Sequence, residues 1–370
     1  MPSTSSSMAT DDAPTTAARR LDAPVDLTLH VGTGKAGSST IQFFMRDNRD
    51  ALARLGILYP RTPGGGRHGL LGLSAKPPEE MTASPEWPRQ KQSDPLEFRR
   101  FVRRRLVREI ARSGLPRVLL SDEVIFGSSP ATVRNLAAFT RRIASSVRLV
   151  VYLRRQDSHM VSRYQEGVKV GGLARIEDWA DRDMSQLYDY RARLGFHAQQ
   201  FQPAHIAVRR FERGAFAEGS LLQDFLDAAS IDARAADLTP VADRNASLDA
   251  ETVEFLRLLN RVRVEQDGAR EGQIDNRDLV ARLAPASTGP TLTLPADRLD
   301  AVMARWAESN ASVARDFLGD ASGILFREPR RTGNTTVVQR LDPARLDHFL
   351  ALAEVDERWE GPLRRLVEDE

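Results

Sequence analysis

The stretch Leu27-Thr-Leu-His-Val-Gly-Thr-Gly-Lys-Ala-Gly-Ser-Ser-Thr-Ile-Gln42 decides how this chain is read. An apolar run of strand character enters a glycine-rich turn with one lysine, and helical spacing follows. A turn of this kind is an anion cradle, because free backbone N–H groups and the positive end of the helix dipole face one point. Gly32, Gly34 and Gly37 allow close approach, and Lys35 adds a point charge.

The Walker A pattern is not met. Its first glycine would fall at Leu29, and the hydroxyl residue that ligates magnesium is replaced by Ala36. A donor that needs no metal is therefore expected. The run Lys35-Ala-Gly-Ser-Ser39 resembles the 5′-phosphosulfate-binding loop of the sulfotransferases, P-loop-like enzymes that use 3′-phosphoadenosine 5′-phosphosulfate (PAPS). The resemblance implies that Lys35 contacts the oxygen bridging phosphorus and sulfur and that Ser38 and Ser39 hold the 5′-phosphate. Gly34, Ala36, Gly37 and Thr40 complete the donor-binding turn on the same ground. Thr40 stands where cytosolic members carry a tryptophan, so adenine stacking by that route is lost.

A second segment points the same way. Val147-Arg-Leu-Val-Val-Tyr-Leu-Arg154 is an apolar strand ending in an arginine, and a helical stretch follows. Ser158, Ser162, Gln165 and Lys169 recur on one polar face of that helix, with Val161, Tyr164 and Val168 opposite. This resembles the family's 3′-phosphate segment, in which an arginine at the strand end and a serine eight residues on grip the phosphate; Arg154 and Ser162 have that spacing. A guanidinium suits such a dianion because its donors form a rigid fork.

Transfer to an acceptor hydroxyl requires a base at the carboxyl end of a neighbouring strand, where open α/β sheets place ligands. Ser121-Asp-Glu123 follows the apolar Val118-Leu-Leu120 and occupies that position. Glu123 is the first candidate, by analogy with carbohydrate sulfotransferases that use a glutamate, and Asp122 the second. His68, in Gly64-Gly-Gly-Arg-His-Gly69, is a third. His30 is read as a core side chain and His159 as an ordinary helix residue.

Composition narrows the classes. The chain has 370 residues, a net charge of +2 and no cysteine, so disulfides and thiolate chemistry are excluded and general nucleic-acid binding is not expected. No metal-ligand spacing such as His-Glu-x-x-His occurs, and no metal is expected. Residues 1–24 are rich in Ser, Thr, Ala and Asp without a signal-peptide core and read as a disordered leader. With no apolar run of membrane-spanning length, a cytoplasmic location is expected.

Strand and helix signals alternate over residues 25–230, which predicts a three-layer α/β core with a mainly parallel sheet. Strands are expected at 27–31, 118–121, 147–153 and 206–211, and helices at 39–55, 96–113, 130–145 and 221–229. Residues 61–95, dense in Gly and Pro, read as a long aperiodic loop, which the resemblance makes part of the acceptor cleft. The helix over 96–113 has an arginine-rich outer face, read either as solvated or as a landing surface for an acidic acceptor. Residues 231–370 are expected to form a helical extension, with helices at 249–262 and 297–318. The expected activity is sulfuryl transfer from PAPS to a hydroxyl or amine of a glycan, lipid or small metabolite. The alternatives are a kinase using ATP and magnesium and a catalytically silent nucleotide-binding protein.

Overall fold

A computed structural model describes residues 23–241 and 247–370. The expected leader lies almost wholly outside these residues. Five parallel strands, β1 (Val25–Gly32), β2 (Ile57–Leu58), β3 (Arg117–Ser121), β4 (Ala144–Leu153) and β5 (His205–Arg210), form one sheet in the order β2-β3-β1-β4-β5. Parallel strands need crossovers, and the helices that make them cover both faces. The helices preceding β5 are α1 (Ser38–Asp47), α2 (Arg49–Arg54), α3 (Gly69–Ala75), α4 (Pro78–Thr82), α5 (Pro95–Ser113), α6 (Pro130–Thr140) and α7 (Gln156–Lys169), followed by short helical pieces and the helix Tyr190–Phe201.

The side-chain alternation of the strands divides the core in two. Leu119, Val150 and Tyr152 face Ile41, Phe44 and Met45 of α1 and Phe225 of the helix Leu221–Ala228. Leu29, Leu120, Leu149 and Val151 face the other way, toward Leu136 of α6 and Leu194 of Tyr190–Phe201. This is the three-layer α/β fold that the alternating pattern implies. The same apolar cluster continues into Leu256 and Leu259 of the helix Ala250–Asp267, so the mainly helical C-terminal region shares the core of the sheet.

Several boundaries differ from the sequence reading. The helix expected at 39–55 breaks at Asn48, whose amide donates to Phe44 O and Thr239 O. The helix at 130–145 stops at Thr140, and β4 starts early because the Ser145 and Ser146 hydroxyls bond to Asp26 of β1. The helix at 297–318 is two, Ala296–Arg305 and Ala307–Leu318. Residues 61–95 are not one aperiodic loop. They contain α3, α4 and the short turn Trp87–Arg89, held by buried Leu71, Leu73 and Met81. Helices of five to seven residues are too short for their periodicity to stand out among glycines and prolines.

Candidate functional site

β3, β1 and β4 are neighbours, so the segments leaving their carboxyl ends share one edge of the sheet. These segments are the glycine-rich loop after Gly32, the acidic turn after Ser121 and the arginine pair after Leu153. The first loop packs tightly. A side chain at Gly32, where φ is +116°, would place its Cβ 2.5 Å from Glu123 O, and one at Gly37, where φ is +76°, would meet Leu221 at 2.4 Å. Lys35 holds a φ of +63°, a conformation that non-glycine residues rarely adopt.

Side chains from the next strand and helix buttress this loop. Arg154 Nη1 donates to Lys35 O at 2.7 Å, and His159 Nε2 donates to Gly34 O at 2.5 Å. His159 is therefore not an ordinary helix residue. It is buried, and burial holds its imidazole well below the usual titration range, which keeps it neutral. With Gly37 as N-cap, the amides of Ser38, Ser39 and Thr40 open α1, and the first helical hydrogen bond is Ile41 N to Gly37 O. These three N–H groups have no acceptor among the described residues, the feature that suits a helix start to anions. Ser38 is buried, Ser39 and Thr40 partly open. Lys35 Nζ lies 3.3 Å from Glu166 Oε2 on α7.

Beside the loop lies a cavity of about 780 Å³ whose lining includes Thr40, Arg154, Ser162, Phe211, Leu221 and Arg331. The structure thus brings Arg154 and Ser162 to one wall, with Phe211 and Leu221 supplying apolar surface. Arg154 is fixed by Tyr190 OH, which donates to its carbonyl at 2.6 Å, and its guanidinium carbon stands 5.9 Å from the Phe211 ring centre. Arg155, Arg213, Arg330 and Arg331 also line the cavity. Buried Asp157 neutralises two of these, accepting from Arg155 at 2.9 Å and Arg330 at 3.0 Å.

The three base candidates have different surroundings. Glu123 is 22% exposed, its Cγ stands 3.7 Å from where a Gly34 Cβ would sit, and Oε1 accepts from Arg67 Nη2 at 2.9 Å. Oε2 is buried with no partner among the described residues. Arg67 also donates from Nη2 to Ser39 Oγ at 3.3 Å and from Nε to Gln42 Oε1 at 3.1 Å. One guanidinium thereby links the helix start to the carboxylate. Asp122 is buried and accepts from Gly72 N at 2.7 Å and Val124 N at 3.2 Å, so it anchors α3. Burial pushes its carboxyl up to about 7.

His68 has no free nitrogen for proton transfer. Its Nδ1 accepts from Ser121 N at 2.9 Å, which leaves the proton on Nε2 to be donated to Pro60 O at 2.8 Å. Burial lowers its pKa to about 4, and its role is to lock the segment carrying Arg67 against β3. His30 is buried as expected, with Nδ1 2.7 Å from Ser121 Oγ.

Sequence reasoning missed Arg67, His159, Arg330 and Arg331. Arg67 adjoins the quoted Gly-Gly-Gly run and His68, yet its partners are 28 and 56 residues away in sequence, which no local pattern reveals. Arg330 and Arg331 lie over a hundred residues from any other cavity-lining arginine, in a chain where arginine is abundant.

No family model matches this chain, and no solved structure matches it. It is similar to an uncharacterised protein of Archaeoglobus fulgidus, with 35% identity over 85 residues, a stretch covering 23% of this chain and 23% of that relative.

Proposed function

We propose that this protein is a sulfotransferase that moves a sulfuryl group from PAPS to a hydroxyl or amine acceptor without a metal ion. The observation that carries this reading is the convergence of three groups at the carboxyl edge of the sheet: the amide-lined start of α1, the Arg154 and Ser162 wall of the cavity, and Glu123. A bisphosphorylated nucleoside needs two separate anion sites with apolar surface between them. The helix start and the arginine-lined wall suit the two phosphates, and Phe211 and Leu221 suit the base in place of the tryptophan that Thr40 replaces.

In this reading the partly exposed Glu123 carboxylate accepts the acceptor's proton as the acceptor oxygen or nitrogen bonds to sulfur and the bond from sulfur to the bridging oxygen breaks. Adenosine 3′,5′-bisphosphate leaves. Lys35 releases Glu166 and neutralises the charge that grows on the bridging oxygen, an interaction worth most in the transition state. Ala36 offers no magnesium ligand, which supports a donor other than ATP with its metal.

The test is transfer of radiolabelled sulfate from PAPS to a panel of hydroxyl and amine acceptors in the presence of EDTA. Labelled product is expected. Absence of label with every acceptor, together with phosphate transfer from ATP that requires magnesium, would replace the proposal with a kinase.

A further inference from the structure

Helix α5 carries a surface that the candidate site does not use. Phe98, Val102, Leu106 and Ile110 form its buried stripe, so the opposite side looks outward. Arg100, Arg104 and Arg108 recur along the middle of that outer side, with Arg105 and Arg112 at its flank, and all five are exposed. Among the described residues none of the five has a carboxylate within 4.0 Å. Several arginines elsewhere are paired with carboxylates, as Arg257 is with Glu254, Arg210 with Asp320 and Arg330 with Asp157.

The other charges of α5 are accounted for. Arg99 turns inward to Ser74 O, and Arg103 lies over Phe139. Glu109 accepts from Arg61 N and Thr62 N, and Glu97 sits in the first turn beside the Asp94 cap. The outer arginines reach only their own helix: Arg100 bonds to Leu96 O, Arg104 to Arg100 O, and Arg105 covers the Phe101 ring at 5.3 Å. Two large apolar side chains stand among them in the open, Leu96 at 45% and Phe101 at 38% exposure.

We propose that α5 docks this protein on an anionic bilayer surface, with guanidinium groups on lipid phosphates and Phe101 and Leu96 entering the acyl boundary. The charge complementarity is direct, since clustered basic side chains are drawn to anionic leaflets and a guanidinium forks onto a phosphate. A helix of 19 residues extends about 28 Å and can lie along a plane with every outer arginine engaged. The apolar pair selects the bilayer over a phosphodiester polymer, because Leu96 and Phe101 gain free energy on leaving water for acyl chains and find no matching apolar surface on a nucleic-acid backbone. The inference is independent of the chemistry assigned to the sheet edge.

The experiment is co-sedimentation of the full chain with vesicles of phosphatidylglycerol and phosphatidylcholine in equal parts, against phosphatidylcholine alone. Binding to the anionic vesicles only is expected, with release at high salt as screening shortens the reach of the charges. The triple variant Arg100→Gln, Arg104→Gln, Arg108→Gln should bind roughly tenfold or more weakly, and the corresponding Lys triple should recover most of the loss. Phe101→Ser should weaken binding with the charge unchanged. No binding to anionic vesicles, an unaltered triple variant, or capture of RNA in preference to vesicles through the same arginines would each overturn the proposal.

Discussion

Arg67 Nη2 stands 2.9 Å from Glu123 Oε1, and the same nitrogen lies 3.3 Å from Ser39 Oγ. The guanidinium therefore sets where the carboxylate points relative to the start of α1 and leaves Oε2 without a partner among the described residues. Glu123→Gln is expected to lower turnover by roughly 10²–10⁴ while affinity for adenosine 3′,5′-bisphosphate stays near that of the unaltered protein. Retained turnover in that variant would remove Glu123 as the base.

Arg67 acts through Glu123, so its removal should appear in kcat rather than in KM. Arg67→Ala should cost about 10- to 100-fold in kcat, the scale of a misplaced catalytic group. The double variant with Glu123→Gln should be little worse than Glu123→Gln alone, because the two side chains work as one unit. Additive losses in steady-state kinetics would show that they act separately.

The cavity wall is tested by nucleotide preference. Adenosine 3′,5′-bisphosphate should bind more tightly than 5′-AMP with EDTA present, and Ser162→Ala should narrow that gap. Arg154→Ala should weaken the bisphosphate by about 1.5–3 kcal/mol. It should weaken AMP as well, because its guanidinium also holds Lys35 O. Calorimetric titration of both nucleotides reads all three effects.

Two glycines with φ above zero separate backbone strain from collision. A Cβ at Gly65 meets nothing within 4 Å, so Gly65→Ala should cost only the left-handed penalty, about 1–2 kcal/mol. At Gly32 the Cβ would meet the backbone oxygen of Glu123 at 2.5 Å, and the loop and the acidic turn must part. Gly32→Ala should therefore be clearly more destabilising in chemical denaturation and should also impair anion binding, whereas Gly65→Ala should not.

Buried imidazoles predict the acid response of stability. His30, His68 and His197 have pKa values lowered by burial to about 4 from an ordinary 6.5. Between these values the unfolded chain binds more protons, so stability is lost as pH falls from 6.5 toward 4. Asp122, raised by burial to about 7 from an ordinary 3.8, acts in the opposite sense across the whole of that window, but the imidazoles outnumber it. The melting temperature should fall from pH 7 to pH 5, and His68→Gln should flatten that slope. A melting temperature that rose on acidification would contradict this assignment.

The elements legible in the sequence were those with long, unbroken periodicity. The strands around Leu29, Leu120, Leu149 and Val208 and the helix ending at Ser113 lie within a few residues of their expected places. α3 and α4 were hidden because each is short and rests on a few buried side chains. At the site, the glycine loop, Arg154 and Ser162 were visible because each sits in a local pattern of strand, turn and helix. Arg67 and His159 were not, since their importance lies in contacts across the sheet edge that only the strand order creates.

Peptide units are planar and trans at Gly34–Lys35 and Lys35–Ala36, so each carbonyl and the amide that follows it point in opposite directions. By gripping the oxygens of Gly34 and Lys35, His159 and Arg154 fix the aim of the Lys35 and Ala36 amides without touching them. The polarity of the turn is thus dictated from behind, by one neutral ring and one cation on the α7 side. A flip of either plane would put a carbonyl oxygen where the amide now points, and these two grips are what oppose it.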